Sequence, residues 1–174
     1  MNWRKLRTVL LTILVLCLIP LTRYYQIDQP LLAKFRRPHE VDPFALQVSG
    51  EFVESNLGTE QNADGSVTLR MIGQQYVFIP HCVVVPAGVP VHLRITSADV
   101  VHSLAIDGTE YNVKVLPGTI SESTLQFPDP GVHKTVCREF CGPGHYDMRS
   151  EIRVLTKEQF PALGPNERGY CAAQ

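Results

Sequence analysis

The chain has 174 residues, 44% of them hydrophobic, with 16 Lys and Arg against 17 Asp and Glu for a net charge of -1. That length holds one domain of ordinary size plus tails or a membrane anchor. Basic and acidic residues are interspersed and nearly balanced, so the basic stripe needed for phosphate contacts is missing and a nucleic-acid partner is excluded.

From Val9 to Leu21 the sequence is apolar apart from Thr12, with Arg4, Lys5 and Arg7 before it and Arg23 after it. Residues 1–25 therefore read as a membrane segment, although the charge-free stretch from Thr8 to Thr22 is shorter than the roughly 20 residues of a typical spanning helix. No small-x-small cleavage site follows Leu21, and Trp3, Tyr24 and Tyr25 could form aromatic belts. A retained single-pass anchor is thus expected in preference to a cleaved signal peptide. Cys17 follows Leu16, where lipid attachment would want a small residue. Arg23, Lys34, Arg36 and Arg37 offset the cluster at Arg4, Lys5 and Arg7, so charge counting leaves the orientation open.

Residues 26–65 lack sustained periodicity and carry Pro30, Pro38, Pro43, Gly50 and Gly58, which reads as an extended connector with one short strand at 44–48. A strand-rich domain is expected over 66–156. The runs 67–79, 82–85, 89–96, 101–106 and 111–116 are rich in β-branched and aromatic residues. Turn signals at Pro86-Ala87-Gly88, Asp107-Gly108, Pro117-Gly118 and Pro130-Gly131 are spaced as in an all-β sandwich or barrel. Val91, Leu93 and Ile95 alternate with His92, Arg94 and Thr96, which turns His92 to solvent. A last strand at 151–155 precedes a short helix opened by the capping box Thr156-Lys157-Glu158-Gln159, and residues from Pro165 onward read as a loose tail, so that 157–174 forms a C-terminal appendix.

The chemistry is concentrated in Cys137-Arg138-Glu139-Phe140-Cys141-Gly142-Pro143-Gly144-His145-Tyr146-Asp147-Met148. Two thiols, an imidazole and a thioether in one glycine-interrupted loop select a soft metal, and a weak Met beside Cys and His points to copper-based electron transfer. A mononuclear blue-copper site uses a single Cys. Two thiolates four residues apart can instead bridge a pair of copper ions, each needing an imidazole; His145 supplies one and His102, in Asp99-Val100-Val101-His102-Ser103, is the best second candidate. Three plainer readings stand beside this one: a Cys2His2 zinc site, which would leave Met148 unexplained, a disulfide between Cys137 and Cys141, and a catalytic thiol. His39, His81 and His133 read as surface residues. Pairing of Cys82 with Cys171 is left open.

The pattern Cys137-x-Glu139-x-Cys141-Gly142-x-Gly144-His145-x-x-Met148, with Asp99-Val100-Val101-His102-Ser103 upstream, closely resembles the binuclear copper domain of cytochrome c oxidase subunit II. More loosely the resemblance runs from about Val67 to Leu155. It implies an all-β, cupredoxin-like Greek-key barrel with one N-terminal transmembrane helix, holding the copper pair called CuA. The implied ligands are the imidazoles of His102 and His145, the bridging thiolates of Cys137 and Cys141, the Met148 thioether and the Glu139 carbonyl. In the related A-type enzymes a Glu at this position also reaches a magnesium site shared with subunit I. Those subunits have two membrane helices and a Trp-Tyr-Trp run that receives electrons. Here Gln75-Tyr76-Val77-Phe78 stands in the corresponding strand, which makes Tyr76 a candidate residue for receiving electrons, with a core aromatic as the plainer reading.

The single anchor is similar to B-type oxidases. The implied function is acceptance of single electrons from a periplasmic cytochrome c or small copper protein and their transfer to haem in subunit I. The implied setting is the bacterial cytoplasmic membrane, with the soluble domain on the periplasmic side. A CuA-bearing nitric oxide reductase and a membrane-anchored copper-delivery module remain as alternatives.

Overall fold

The computed structural model describes residues 3–35, 39–163 and 167–171, and the chain divides into two compact units, 1–38 and 39–174. The first is one helix, α1 (Trp3–Phe35), which continues past residue 25 into the stretch expected to be extended. Val9, Leu10, Leu11, Ile13, Leu14, Val15, Leu16, Leu18 and Ile19 are exposed on all sides of it. No helix among the described residues is long and apolar enough to cross a membrane. Arg36 and Arg37 and the side chains of Tyr24, Tyr25 and Lys34, on which belts and orientation turned, lie outside what is described.

The second unit is a sandwich of two mixed five-stranded sheets. One has the order β1 (Gly58–Gln61), β2 (Val67–Gln74), β5 (Pro90–Ser97), β8 (Ser121–Gln126), with β3 (Val77–Ile79) folded back on β2. The other runs β4 (Cys82–Pro86), β10 (Arg149–Leu155), β9 (Gly131–Cys137), β6 (His102–Ile106), β7 (Asn112–Val115). β2 pairs with β5 and β4 with β10 in parallel, so chain neighbours are repeatedly sent to opposite sheets. The inward positions form one core: Val67, Leu69 and Met71 of β2, Val91, Leu93 and Ile95 of β5, Leu104 and Ile106 of β6, and Ile152 and Val154 of β10 are buried. His92 points outward as its place in the alternation requires.

Residues 43–48 form successive turns, not a strand: Asp42 Oδ1 accepts the Phe44 amide at 3.0 Å and the Asp42 carbonyl accepts the Ala45 amide, so Asp42-Pro43 turn chemistry wins over the apolar run. These turns swing Leu46 into a second buried cluster with Phe52, Leu57, Ile72 and Ile120. The run at 67–79 is two strands, broken at Gln75-Tyr76, where Gln74 pairs directly with Val77 and the intervening peptide bond is cis. β1, β8 and β9 lie outside the runs expected to be strands.

At the C-terminus the reciprocal hydrogen bonds of the capping box form, from Gln159 N to Thr156 Oγ1 and from Thr156 N to Gln159 Oε1, but they close a turn and no helix follows. Residues 167–171 are not loose. Gly169 exchanges backbone hydrogen bonds with Thr59 of β1, Tyr170 bridges to Val83 of β4, and Cys171 forms a disulfide with Cys82. This tail therefore ties an edge strand of each sheet together.

Candidate metal centre

The site lies at one end of the sandwich, where β6 begins and the hairpin β9–β10 is open. Cys137 is the last residue of β9 and Met148 the residue before β10; the Met148 carbonyl accepts the Cys137 amide at 3.1 Å, so the hairpin pinches the loop shut at its base. His102 begins β6, which pairs with β9 so that Leu104 lies opposite Cys137. The Arg138 amide donates to Ser103 Oγ at 3.0 Å and fastens the start of the loop to the strand that carries His102.

Four of the expected side chains are buried: His102, Cys137, Cys141 and Met148. His145, on a 3₁₀ turn His145–Asp147, is partly exposed. Cys137 Sγ is 4.0 Å from His102 Nδ1 and 3.2 Å from the Glu139 carbonyl oxygen. Cys141 Sγ is 3.6 Å from His145 Nδ1 and 3.7 Å from Met148 Sδ. The six groups named in the sequence thus converge on one place. His102, Cys137 and Cys141 are the only cluster of three or more His, Cys or acidic ligand groups among the described residues. Sulfur and imidazole with few hard oxygens is a soft-metal donor set, which copper suits and magnesium does not. The Glu139 carboxylate turns outward instead and sits 3.9 Å from Lys114 Nζ, so nothing in this cluster supports magnesium.

Groups outside these six hold the candidate ligands in place. His102 Nε2 is 2.8 Å from Asp99 Oδ1; a proton shared there leaves Nδ1 free to face the thiols. Asp99 Oδ2 accepts the Gln75 amide at 2.7 Å and Oδ1 the Val100 amide at 2.6 Å. Burial alone would raise the Asp99 carboxyl, but these hydrogen bonds and His102 hold it below the usual carboxylate range. Burial pushes the Cys141 thiol up to about 11, with Cys137 adding repulsion. The Gln75 side-chain amide donates to the Cys141 carbonyl. Tyr76 lies over the loop itself: a Cβ at Gly142, whose φ is +134°, would fall 2.4 Å from the Tyr76 hydroxyl, and one at Gly144 2.4 Å from its ring. Gln75 and Asp99 both lie in stretches the sequence singles out, but only the structure gives them a role at the site.

The sequence pattern of the family described as cytochrome c oxidase subunit II, periplasmic domain, matches residues 61–155. The chain belongs to the cytochrome c oxidase subunit II family. Within it, a cytochrome c oxidase subunit 2 of Thermus thermophilus is 32% identical over 114 residues, covering 66% of this chain and 84% of that protein. The heme-copper oxidase subunit 2 of Aeropyrum pernix is 33% identical over 91 residues, covering 51% of this chain and 39% of the other. Among solved structures, a chain of a heme-copper terminal oxidase dimer aligns over 83% of this chain and 97% of its own length, at 28% identity and a TM-score of 0.51. The periplasmic domain of cytochrome oxidase subunit II from Bradyrhizobium japonicum covers 53% of this chain and 86% of its own length, at 23% identity and a TM-score of 0.50, and shares the fold. Members of the family are parts of an oxidoreductase complex, and the cupredoxin-like expectation is met.

Proposed function

We propose that this chain is the electron-accepting subunit of a haem-copper oxidase, carrying a binuclear copper centre on His102, His145, Cys137, Cys141, Met148 and the Glu139 carbonyl. The observation that carries this reading is the convergence of two thiols, two imidazole Nδ1 atoms and a thioether at 3.6–4.0 Å across a buried loop base. Such a pair, when bound, supplies a one-electron redox couple whose charge is shared over two metals and two sulfurs. The protein's own part is mechanical and electrostatic. Strand β6 holds His102 against the hairpin, Asp99 fixes the tautomer of that ring, and Tyr76 leaves the loop little freedom to rearrange. Little nuclear motion then accompanies gain or loss of an electron.

Electrons arrive from a periplasmic cytochrome c or small copper protein and leave to haem in a catalytic partner subunit, subunit I, with oxygen as the terminal acceptor. Tyr76, partly exposed and in contact with the Cys141–Gly144 loop, is the proposed point of arrival. The N-terminal part of α1 is the proposed single-pass anchor in the bacterial cytoplasmic membrane, its support being the run of exposed apolar side chains from Val9 to Ile19. The soluble unit then faces the periplasm.

Reconstitution of the full chain in detergent with copper tests the core of this reading. Two copper ions per chain and an electron-paramagnetic spectrum of one unpaired electron shared by two nuclei are expected, and Cys137→Ser should abolish that spectrum. A colourless zinc protein, or the spectrum of isolated single copper ions, would overturn it. For Tyr76, Tyr76→Leu should slow reduction by a cytochrome c without altering the spectrum.

A further inference from the structure

We infer that Gln75 is a positioning residue of the metal centre, linking its two halves through one continuous run of hydrogen bonds. This rests on the reading of the site as a copper pair. The run starts at His102, whose Nε2 is 2.8 Å from Asp99 Oδ1. It crosses the carboxylate to Oδ2, which accepts the Gln75 backbone amide at 2.7 Å. It then passes along the Gln75 side chain, whose amide donates to the carbonyl of Cys141. Three separate segments are joined: the β5–β6 connection, the β2–β3 turn and the loop between β9 and β10. One end is an imidazole of the site and the other is the peptide that carries a thiol of the site.

The local sequence supports a role beyond turning the chain. Gln74 pairs with Val77, so Gln75-Tyr76 is a two-residue hairpin connection, where Asn-Gly or Asp-Gly is the usual choice. Neither residue is there for its own turn preference. Each is instead spent on the loop opposite, Gln75 on the Cys141 carbonyl and Tyr76 on Gly142 and Gly144. Departures from local preference that are offset by contacts at a functional site are where a sequence reveals a functional demand. The direction of the Gln75 bond matters too. It brings the positive end of an amide dipole to the Cys141 peptide, beside a sulfur that gains negative charge when the centre is reduced, and so favours the reduced state.

The test uses full-length Gln75→Leu and the isosteric Gln75→Glu, which keep the backbone amide to Asp99 but cannot donate from the side chain when ionised. Gln74→Leu, the exposed neighbour at the end of β2, is the control. In metal-free protein, hydrogen exchange of the Cys141, Gly142, Gly144 and His145 amides should become about three- to tenfold faster in both Gln75 variants, the worth of one net hydrogen bond, and stay unchanged in the control. In copper-loaded protein the reduction potential should move downward, further for Gln75→Glu than for Gln75→Leu. Unchanged exchange together with an unchanged potential in folded Gln75 variants would overturn the inference. Wild-type chain that takes up no copper pair, while the exchange difference persists, would instead overturn the functional reading and leave Gln75 as a clamp on the loop.

Discussion

His102 and Asp99 are joined at 2.8 Å, so the buried imidazole presents its opposite nitrogen, Nδ1, toward Cys137 Sγ at 4.0 Å. A carboxylate on the far side of a ligand ring sets its tautomer and raises its basicity, and loss of such a partner typically costs about 10- to 100-fold in metal affinity. Asp99→Ala should therefore weaken copper binding by about that factor in a chelator-competition titration, while Asp99→Asn, which keeps an acceptor oxygen, loses less. Equal affinity in all three proteins would refute the role.

Metal uptake should be strongly dependent on pH. With the Cys141 thiol held up to about 11, the metal-free site keeps its proton at neutral pH, and copper must displace it. Each displaced proton makes the apparent affinity fall about tenfold per unit drop in pH. Without metal the sign of the stability effect is opposite. Between the ordinary thiol value of 9.0 and about 11 the unfolded chain loses a proton that the folded chain retains, so metal-free stability declines as pH rises through that window. Denaturation of metal-free protein at pH 8 and pH 11, with Cys141→Ala for comparison, measures it.

Gly142→Ala should damage the loop in two ways. Its φ of +134° suits glycine alone, and the new Cβ would sit 2.4 Å from the Tyr76 hydroxyl. A loss of about 1–3 kcal/mol of stability is expected from the backbone term. Removing the hydroxyl in Gly142→Ala with Tyr76→Phe should recover part of the remainder, a coupling that thermal denaturation of the four proteins in the cycle would reveal.

The disulfide between Cys82 and Cys171 closes a sequence separation of 89 residues and pins the tail across Thr59 and Val83. Cys171→Ser should lower the stability of the oxidised protein by about 2–4 kcal/mol in a denaturant titration, and the difference from wild type should vanish in reductant.

Acid should loosen the segment before β1. Burial would raise the Glu51 carboxyl, but the guanidiniums of Arg94 and Arg70 outweigh it and hold the group below its ordinary value of 4.5. A depressed carboxyl contributes stability that is present above its unfolded value and lost as pH falls through the folded one. Glu51→Gln should thus be less stable than wild type at pH 6, with the gap narrowing below pH 4.5 in matched denaturation curves.

Local signals in the sequence make the β-rich core and the donor chemistry of the loop readable. Alternation over Val91–Ile95 placed His92 outside, and the spacing of Cys137, Cys141, His145 and Met148 pointed to a soft-metal donor set. Polar strands such as β8, with Ser121, Glu122, Ser123 and Thr124, gave no such signal, because an edge strand needs few apolar residues to pair. The run at 44–48 misled for the converse reason: Asp42 and Pro43 impose a turn that apolar content cannot reveal.

Residue identity and spacing along one short loop carry the donor chemistry, since a thiol or an imidazole is what it is wherever the chain goes. Whether those donors meet depends on pairings between distant strands. His102 reaches Cys137 because β6 lies beside β9, and Gln75 reaches Cys141 because β2 and β3 turn at the same end of the sandwich. The Cys82–Cys171 pair and the tail that crosses both sheets depend on the same long-range placement. Contacts of that separation arise from burying one shared core, which no stretch of sequence contains alone.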